Sequence, residues 1–131
     1  MKKLIKILYA EDEPDIREIA KVSLEEIGGF IVYYCCTGAE VLEAVKQFQP
    51  DLLLLDVMMP DMDGPTALKK LREPPNCIDI PAIFMTAKIQ SNEMCEYKDM
   101  GVLTVISKPF DPIKLPDMIK IAWEKHHERC E

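Results

Sequence analysis

The sequence lacks both the long apolar run of a membrane helix and the basic surplus of a nucleic-acid-binding surface. Its longest uninterrupted apolar runs are only a few residues, such as residues 52–55, whereas a membrane-spanning helix needs about 20. The chain carries 16 Lys and Arg against 23 Asp and Glu, a net charge of −7. Broad binding to phosphate backbones needs clustered cations. The composition therefore predicts contact neither with a membrane nor directly with nucleic acid.

The N-terminus also lacks the apolar core of a signal peptide, and the cysteines lack a C-x-x-C pair. Lys6 interrupts the first apolar segment, and acidic residues 11–13 follow where a cleavage site would lie. An odd number of cysteines without that spacing is typical of reduced thiols in a cytosolic protein. We therefore expect a cytoplasmic location. The cysteines are Cys35, Cys36, Cys77, Cys95 and Cys130.

The 131 residues are enough for one domain, and they contain short apolar segments that alternate with helical patterns. This alternation predicts right-handed β-α-β crossovers and a parallel sheet with helices on both faces. Residues 52–55 are apolar at every position, which is typical of a central strand buried on both faces. The five predicted strands comprise residues 4–10, 31–36, 52–55, 82–85 and 103–106.

Local signals predict where the helices begin and end. Pro14 suits the first turn of the first helix, and Gly28 suits its end. The last helix is expected from about Leu115 to the region of His126, followed by a C-terminal tail at residues 128–131. The apolar face predicted for the first helix consists of Ile16, Ile19, Ala20, Leu24 and Ile27.

Polar side chains follow four of the predicted strands. Ligands bind an open parallel sheet at the carboxyl ends of its strands, so these side chains are expected at one site. Asp56 follows four leucines, where a carboxylate is costly unless it meets a cation or a metal. Taken singly, the others have simpler explanations: a favourable helix dipole for the acidic residues, a strand-end cap, a solvated lysine. They are Glu11, Asp12, Glu13, Thr86 and Lys108.

Grouped carboxylates predict a divalent cation, because a hard cation relieves their mutual repulsion. Mg²⁺ prefers oxygen ligands, usually one or two carboxylates together with waters and a phosphate oxygen, and Mn²⁺ is an alternative. Beside such a metal, Asp56 is suited to attack a phosphoryl group and form an aspartyl phosphate. Lys108 and the Thr86 hydroxyl would then offset the charge on the phosphoryl oxygens.

Four segments together resemble the receiver domain of two-component response regulators. The resemblance implies a flavodoxin-like, doubly wound α/β fold, with five parallel strands in the order 2-1-3-4-5 and five helices. It also implies a receiver domain at residues 1–127. The segments occur in family order and at family spacing: ILYAEDEP at 7–14, LLLDVMMPDMDG at 53–64, IFMTAK at 83–88 and SKPF at 107–110.

The resemblance implies a metal site beside a phosphoacceptor. Asp56 matches the residue that takes a phosphoryl group from a sensor histidine kinase or a histidine phosphotransfer protein. Asp12 and Glu11 match the acidic pair that holds Mg²⁺ with Asp56, and Asp12 is the direct ligand of the pair. Met58 would give its backbone carbonyl to the same metal.

The phosphoryl-binding groups and one peptide geometry also follow from the resemblance. Thr86 and Lys108 match the hydroxyl and the ammonium that stabilise the phosphoryl group, with help from the backbone of Ala87. The peptide bond before Pro109 is expected to be cis, a minority state for X-Pro bonds in general.

The sequence departs from many receivers at Val105, three positions before Lys108, where the family often has an aromatic switch residue. Valine has little rotamer freedom and no ring to swing inward. We therefore predict a smaller or different rearrangement on phosphorylation. Met58 and Lys88 occupy positions that tune dephosphorylation in the family, and we hypothesise that Met58 slows the entry of water. The alternative is that both side chains simply point into solvent.

Two other functions are less consistent with these residues. An aspartate-nucleophile phosphatase typically needs a second acid two residues after the nucleophile, where this sequence has Met58. A flavin-binding module needs a phosphate-cradling loop after the first strand, where acidic residues 11–13 would repel a phosphate.

Two ways of passing on the signal are consistent with the sequence. The chain is expected to signal through protein contacts of its fourth helix, fifth strand and fifth helix, as a monomer or weak dimer. The alternative is a receiver domain from a larger regulator with a separate output domain.

Overall fold

The computed structural model of the protein describes residues 3–76, 78–87 and 91–130. The strands are β1 (Lys6–Ala10), β2 (Ile31–Cys35), β3 (Leu52–Asp56), β4 (Ala82–Thr86) and β5 (Val102–Ser107). The helices are α1 (Pro14–Lys21), α2 (Gly38–Phe48), α3 (Gly64–Arg72), α4 (Ser91–Asp99) and α5 (Leu115–Cys130). A π-helical segment, Val22–Ile27, continues α1. None of the helices within these described ranges has the length and apolar character needed to cross a bilayer.

The five strands form one parallel sheet in the order β2-β1-β3-β4-β5. The predicted flavodoxin-like fold is therefore confirmed. In the register of the sheet, Ala10 pairs with Leu55 and Asp56 pairs with Met85. Thr86 pairs with Ser107. The pairing brings the carboxyl ends of four strands level with one another, so the residues that follow them share one edge.

The core lies in two layers, one on each face of the sheet. Successive side chains of a strand point to opposite faces. Leu53 and Leu55 accordingly belong to the cluster beneath α2, α3 and α4. Leu52 and Leu54 belong to the cluster beneath α1 and α5. The uninterrupted leucine run is thus explained, since each buried leucine contributes about 1.5–3 kcal/mol of hydrophobic stabilisation.

The first helix differs from its prediction in which residues it buries. Ala20 and Leu24 are buried as expected, but Ile19 and Ile27 are each 49% exposed. For Ile27 the α-helical spacing fails because the chain changes to a π-helix at Val22, whose wider turn shifts the later side chains to a different side. Ile19 precedes this segment and is exposed on the regular part of α1. Ser23 becomes buried instead, and its hydroxyl donates a hydrogen bond to the Pro112 carbonyl over 2.5 Å.

The C-terminal residues differ from the predicted tail, since α5 runs to Cys130 and so includes residues 128–130. The apolar side chains of Leu115, Ile119 and Trp123 are buried against the sheet at helical spacing. This packing anchors the helix, and the helical backbone continues beyond it. The domain boundary at residue 127 remains a prediction.

Candidate functional site

Asp56 is the centre of the site at the carboxyl edge of the sheet. It is the last residue of β3 and only 3% exposed. The backbone amide of Val57 donates to the Met85 carbonyl over 2.9 Å, which extends the pairing with β4 past the carboxylate. The Met58 amide donates to Asp56 Oδ1 over 3.3 Å. The backbone therefore fixes one carboxylate oxygen and leaves the other free to face its neighbours across the sheet edge.

Lys108 joins the ends of β1 and β3 from the far side of the site. Its Nζ lies 2.9 Å from Glu11 Oε1 and 3.1 Å from Asp56 Oδ2. Its backbone amide donates to the Thr86 carbonyl over 2.9 Å, which fixes the backbone of Lys108 relative to the end of β4. Burial alone would lower the pKa of Lys108. The hydrogen bonds to the two carboxylates outweigh burial and raise that pKa, so the side chain is protonated at neutral pH.

Glu11 is the most deeply buried member of the site. Its backbone amide donates to the Cys35 carbonyl over 3.0 Å, which fixes the end of β1 beside β2. Burial, followed by the hydrogen bond to Asp56, raises the pKa of Glu11 to about 7. Lys108 acts in the opposite direction but offsets these effects only in part. Without a further cation, the ionised form of Glu11 is thus poorly stabilised.

The three carboxylates of the site fit a hard divalent cation. One oxygen each from Glu11, Asp12 and Asp56 lies within 4.8 Å of the others. Asp12 is half-buried, so that the cluster opens to solvent on its side. If all three are ionised they outnumber the Lys108 ammonium, and all their donor atoms are oxygens. Such a donor set matches the ligand preference of Mg²⁺.

The geometry agrees with comparisons to known proteins. A sequence model of the family described as "Response regulator receiver domain" matches residues 7–120. The chain is a member of this family. Phosphorylation and Mg²⁺ binding at an acidic pocket are typical of receiver domains, which are generally switches and not enzymes. Membership also implies interaction with histidine kinases or phosphotransfer proteins.

Individual relatives agree in sequence and in structure. Response regulator Rre1 of Synechocystis is 33% identical over 116 residues, which cover 88% of this chain and 50% of Rre1. RpaA of the same organism, a DNA-binding dual master transcriptional regulator, is 34% identical over 106 residues, or 81% of this chain and 44% of RpaA. The receiver domain thus spans about half the length of these curated relatives.

Solved receiver structures match nearly end to end. Chemotaxis protein CheY4 of Vibrio cholerae superposes with a TM-score of 0.82 at 25% identity, over 92% of this chain and 99% of that one. A CheY-like receiver domain protein of Methanospirillum hungatei gives a TM-score of 0.81 at 25% identity, over 97% and 99% of the two chains.

Several of the remaining predicted residues lie at the same edge of the sheet as the acidic cluster. Thr86 is buried at the end of β4, and Ala87 follows it at the exposed edge. The peptide bond between Lys108 and Pro109 is cis. Met58 is 73% exposed, so its side chain stands in solvent beside the buried Asp56. Lys88, the second position expected to tune dephosphorylation, lies outside the described residues.

Val105 lies away from the acidic cluster, in the middle of β5. It pairs with Phe84 across the sheet and packs, partly buried, against the cluster beneath α2, α3 and α4. An aromatic ring nevertheless lies nearby, since Tyr97 of α4 contacts Phe84 edge-on with ring centroids 4.8 Å apart. The aromatic rings near Val105 therefore come from β4 and α4 and not from β5, and the switch role of Val105 stays a prediction.

Three residues of the site carried no individual role in the sequence analysis. A Cβ atom at Gly64 would lie 2.5 Å from the Asp56 carbonyl oxygen, so only glycine lets α3 begin this close to the site. Arg17 Nη1 donates to the Glu11 carbonyl over 2.9 Å. The Tyr9 hydroxyl donates to Glu11 Oε1 over 3.4 Å. The period of two along β1 was a usable signal for Tyr9, because it places Tyr9 and Glu11 on the same face.

Proposed function

We propose that this receiver domain is a phosphorylation-controlled switch in which Asp56 is the phosphoacceptor. The observation that carries the proposal is the position of Asp56, a nearly buried carboxylate in contact with an ammonium and within reach of two further carboxylates. A phosphorylated histidine of a sensor kinase or a histidine phosphotransfer protein is the proposed donor. A small phosphodonor of high transfer potential is the proposed substitute in vitro.

The transfer step is a nucleophilic displacement at phosphorus. A carboxylate oxygen of Asp56 attacks the phosphorus atom, and an oxygen–phosphorus bond forms while the phosphorus–nitrogen bond to the donor imidazole breaks. The imidazole leaves with the bonding electron pair and takes up a proton. The product is an aspartyl phosphate, a covalent intermediate of the type that carboxylate nucleophiles form.

The chain's own donors are arranged to stabilise the transferred group. Lys108 contacts Asp56 Oδ2, so a short rotation of its side chain brings Nζ to a phosphoryl oxygen. Thr86 and the backbone amide of Ala87 lie at the end of the adjacent strand and would bind the remaining oxygens. Donors that are fixed before the reaction stabilise developing charge without a cost of reorganisation.

Glu11, Asp12, Asp56 and the backbone carbonyl of Met58 would hold Mg²⁺, with Mn²⁺ as an alternative. When bound, the metal supplies positive charge that offsets the phosphoryl oxygens. Asp12 is the proposed direct ligand of the acidic pair, consistent with its partial exposure on the open side of the cluster. Glu11, fully buried behind it, supports the site from within.

The phosphoryl group would bias a pre-existing two-state element rather than build a new one. We propose that the face of α4, β5 and α5 carries the signal to a downstream protein, with no direct contact to nucleic acid or membrane. A cavity of about 780 Å³ on this face, lined by Met94, Leu103, Met118 and Ile121 among others, supports this assignment.

We also propose a location, an oligomeric state and a domain organisation for the protein. A cytoplasmic location and a monomer or weak dimer are proposed, and the free thiols of Cys35, Cys36 and Cys95 are consistent with a reducing compartment. The receiver unit is proposed to occupy residues 1–127. An alternative is that it belongs to a larger regulator with its own output domain, and the length of Rre1 and RpaA favours that alternative.

Incubation with Mg²⁺ and acetyl phosphate, followed by intact mass spectrometry, tests the proposal. We expect the added mass of a single phosphoryl group, and none after chelation of the metal. Asp56→Asn is the matched control, because it keeps the side chain's shape and removes the nucleophile. No added mass in the wild-type protein, or equal labelling of Asp56→Asn, would refute the assignment.

A further inference from the structure

A tyrosine hydroxyl reaches the acidic cluster from inside the fold. Tyr9 lies in β1, two residues before Glu11, and neither residue has exposed surface. The hydroxyl of Tyr9 donates a hydrogen bond to Glu11 Oε1 over 3.4 Å. A phenol is a donor at neutral pH. The core of the domain therefore contributes a donor to a carboxylate of the metal site.

The same carboxylate oxygen is shared with Lys108. Lys108 Nζ contacts Glu11 Oε1 over 2.9 Å, whereas Oε2 accepts from the backbone amide of Glu13 over 3.4 Å. In the proposed function, Lys108 turns towards the phosphoryl group during the reaction. Once it has turned, the Tyr9 hydroxyl would still hold Oε1 in place.

The ring that carries this hydroxyl is itself held on several sides. Tyr9 belongs to the buried cluster that also contains Leu24 next to α1 and Ile119 of α5. Tyr34 of β2 contacts the ring edge-on, with ring centroids 6.2 Å apart and planes at 66°. A side chain locked by packing keeps its polar atom at one place, which is what a supporting residue of a metal site requires.

We propose that Tyr9 is a positioning residue for the metal site, holding the Glu11 carboxylate in the orientation in which it supports Mg²⁺. The inference rests on the proposed metal site of this receiver but does not require that Asp56 be phosphorylated. The opposing explanation is that Tyr9 only fills the core, and that its hydroxyl donates to Glu11 because this is the nearest acceptor.

Two phenylalanine variants separate these explanations. Tyr9→Phe removes the hydroxyl at the site. Tyr34→Phe is the matched control, because it removes the same atom from the adjoining ring, where the hydroxyl donates to Glu25 Oε2 over 2.5 Å. The measurement is the Mg²⁺ dissociation constant by titration calorimetry at one fixed pH, with the thermal melt of each variant recorded alongside.

We expect Tyr9→Phe to weaken Mg²⁺ binding about three- to tenfold, the range that the loss of one hydrogen bond spans. Tyr34→Phe should bind Mg²⁺ like the wild-type protein, even if it melts at a lower temperature. An unchanged dissociation constant in Tyr9→Phe would overturn the inference. Equal weakening in both variants would overturn it as well, since general loosening of the core would then explain the effect.

The Mg²⁺ dependence of labelling by acetyl phosphate gives a second readout. Tyr9→Phe should raise the half-saturating Mg²⁺ concentration by the same factor and leave the rate at saturating Mg²⁺ nearly unchanged. A lower rate at saturation with an unchanged half-saturating concentration would contradict a positioning role. If the wild-type protein is not labelled but the two variants still differ in Mg²⁺ affinity, the proposed function fails and the inference about Tyr9 stands.

Discussion

Replacing Lys108 with methionine removes the ammonium that touches two buried carboxylates while it keeps a long, flexible side chain. In the folded protein Nζ lies 2.9 Å from Glu11 and 3.1 Å from Asp56. Both carboxylates are almost inaccessible to water, so neither can replace the lost partner by hydration. The metal-free variant should therefore be less stable than the wild-type protein.

The size of the loss follows from the burial of the pair. Removing one partner of a buried ion pair typically costs 3–5 kcal/mol, and the partial exposure of Lys108 places the expected loss near the lower end, at about 3 kcal/mol. A domain of this length loses about 3–4 °C in melting temperature for each kcal/mol of stability lost. The expected loss therefore corresponds to a fall of about 10 °C. Mg²⁺ should restore more stability to the variant than to the wild-type protein, because the metal no longer competes with an ammonium.

Urea unfolding with and without Mg²⁺ measures both effects. The pH should be well above 7, so that Glu11 is ionised in the folded state. Lys46→Met, at an exposed lysine of α2, is the matched control and should change stability by less than about 0.5 kcal/mol. A Lys108→Met variant that is as stable as Lys46→Met, with an unchanged response to Mg²⁺, would refute the electrostatic account of the site.

Three further predictions concern pH, phosphoryl lifetime and the switch. The pKa of Glu11 is raised from 4.5 to about 7, so the folded metal-free protein retains a proton that the unfolded chain has released. Its free energy of unfolding should therefore fall as the pH rises between these two values, and Glu11→Gln should abolish that fall. A flat wild-type profile would show that the carboxylate is not perturbed. Met58→Asn should shorten the lifetime of the aspartyl phosphate, because it removes a bulky apolar side chain that stands in solvent beside Asp56. The measurement is the loss of phosphoryl mass with time, and an unchanged lifetime would mean that this side chain does not affect hydrolysis. Backbone NMR with a beryllofluoride mimic should show small shifts at residues 103–106, since Val105 has no ring to swing, and large shifts there would contradict this.

The parallel α/β class and the edge that carries the site were predictable because both depend on patterns that the sequence displays directly, whereas the strand order was predicted from the resemblance to receiver domains. Residues 52–55 are apolar at every position, and this run requires a strand covered on both faces. Once the strands are parallel, the residues that follow them must share an edge. Topology therefore places Asp56 and Lys108 at the same edge although they are 52 positions apart, and the folded structure brings them into contact across the end of β4.

Other features depend on packing that no local pattern displays. The π-helical segment after α1 moves Ile27 to the surface, and α-helical periodicity does not predict it. The continuation of α5 to Cys130, beyond the buried Trp123, likewise has no local signal in the sequence. The role of Tyr9 needs a distance between two side chains, which only the folded structure supplies.

The most direct test of the central claim is to map the phosphorylated residue. Borohydride reduces an aspartyl phosphate to homoserine, so peptide mass spectrometry after labelling with acetyl phosphate and Mg²⁺ locates the acceptor. We predict homoserine at position 56 and at no other aspartate, with none when the metal is chelated. Reduction at Asp12 or elsewhere with Asp56 intact, or no homoserine in a protein that binds Mg²⁺, would contradict the account.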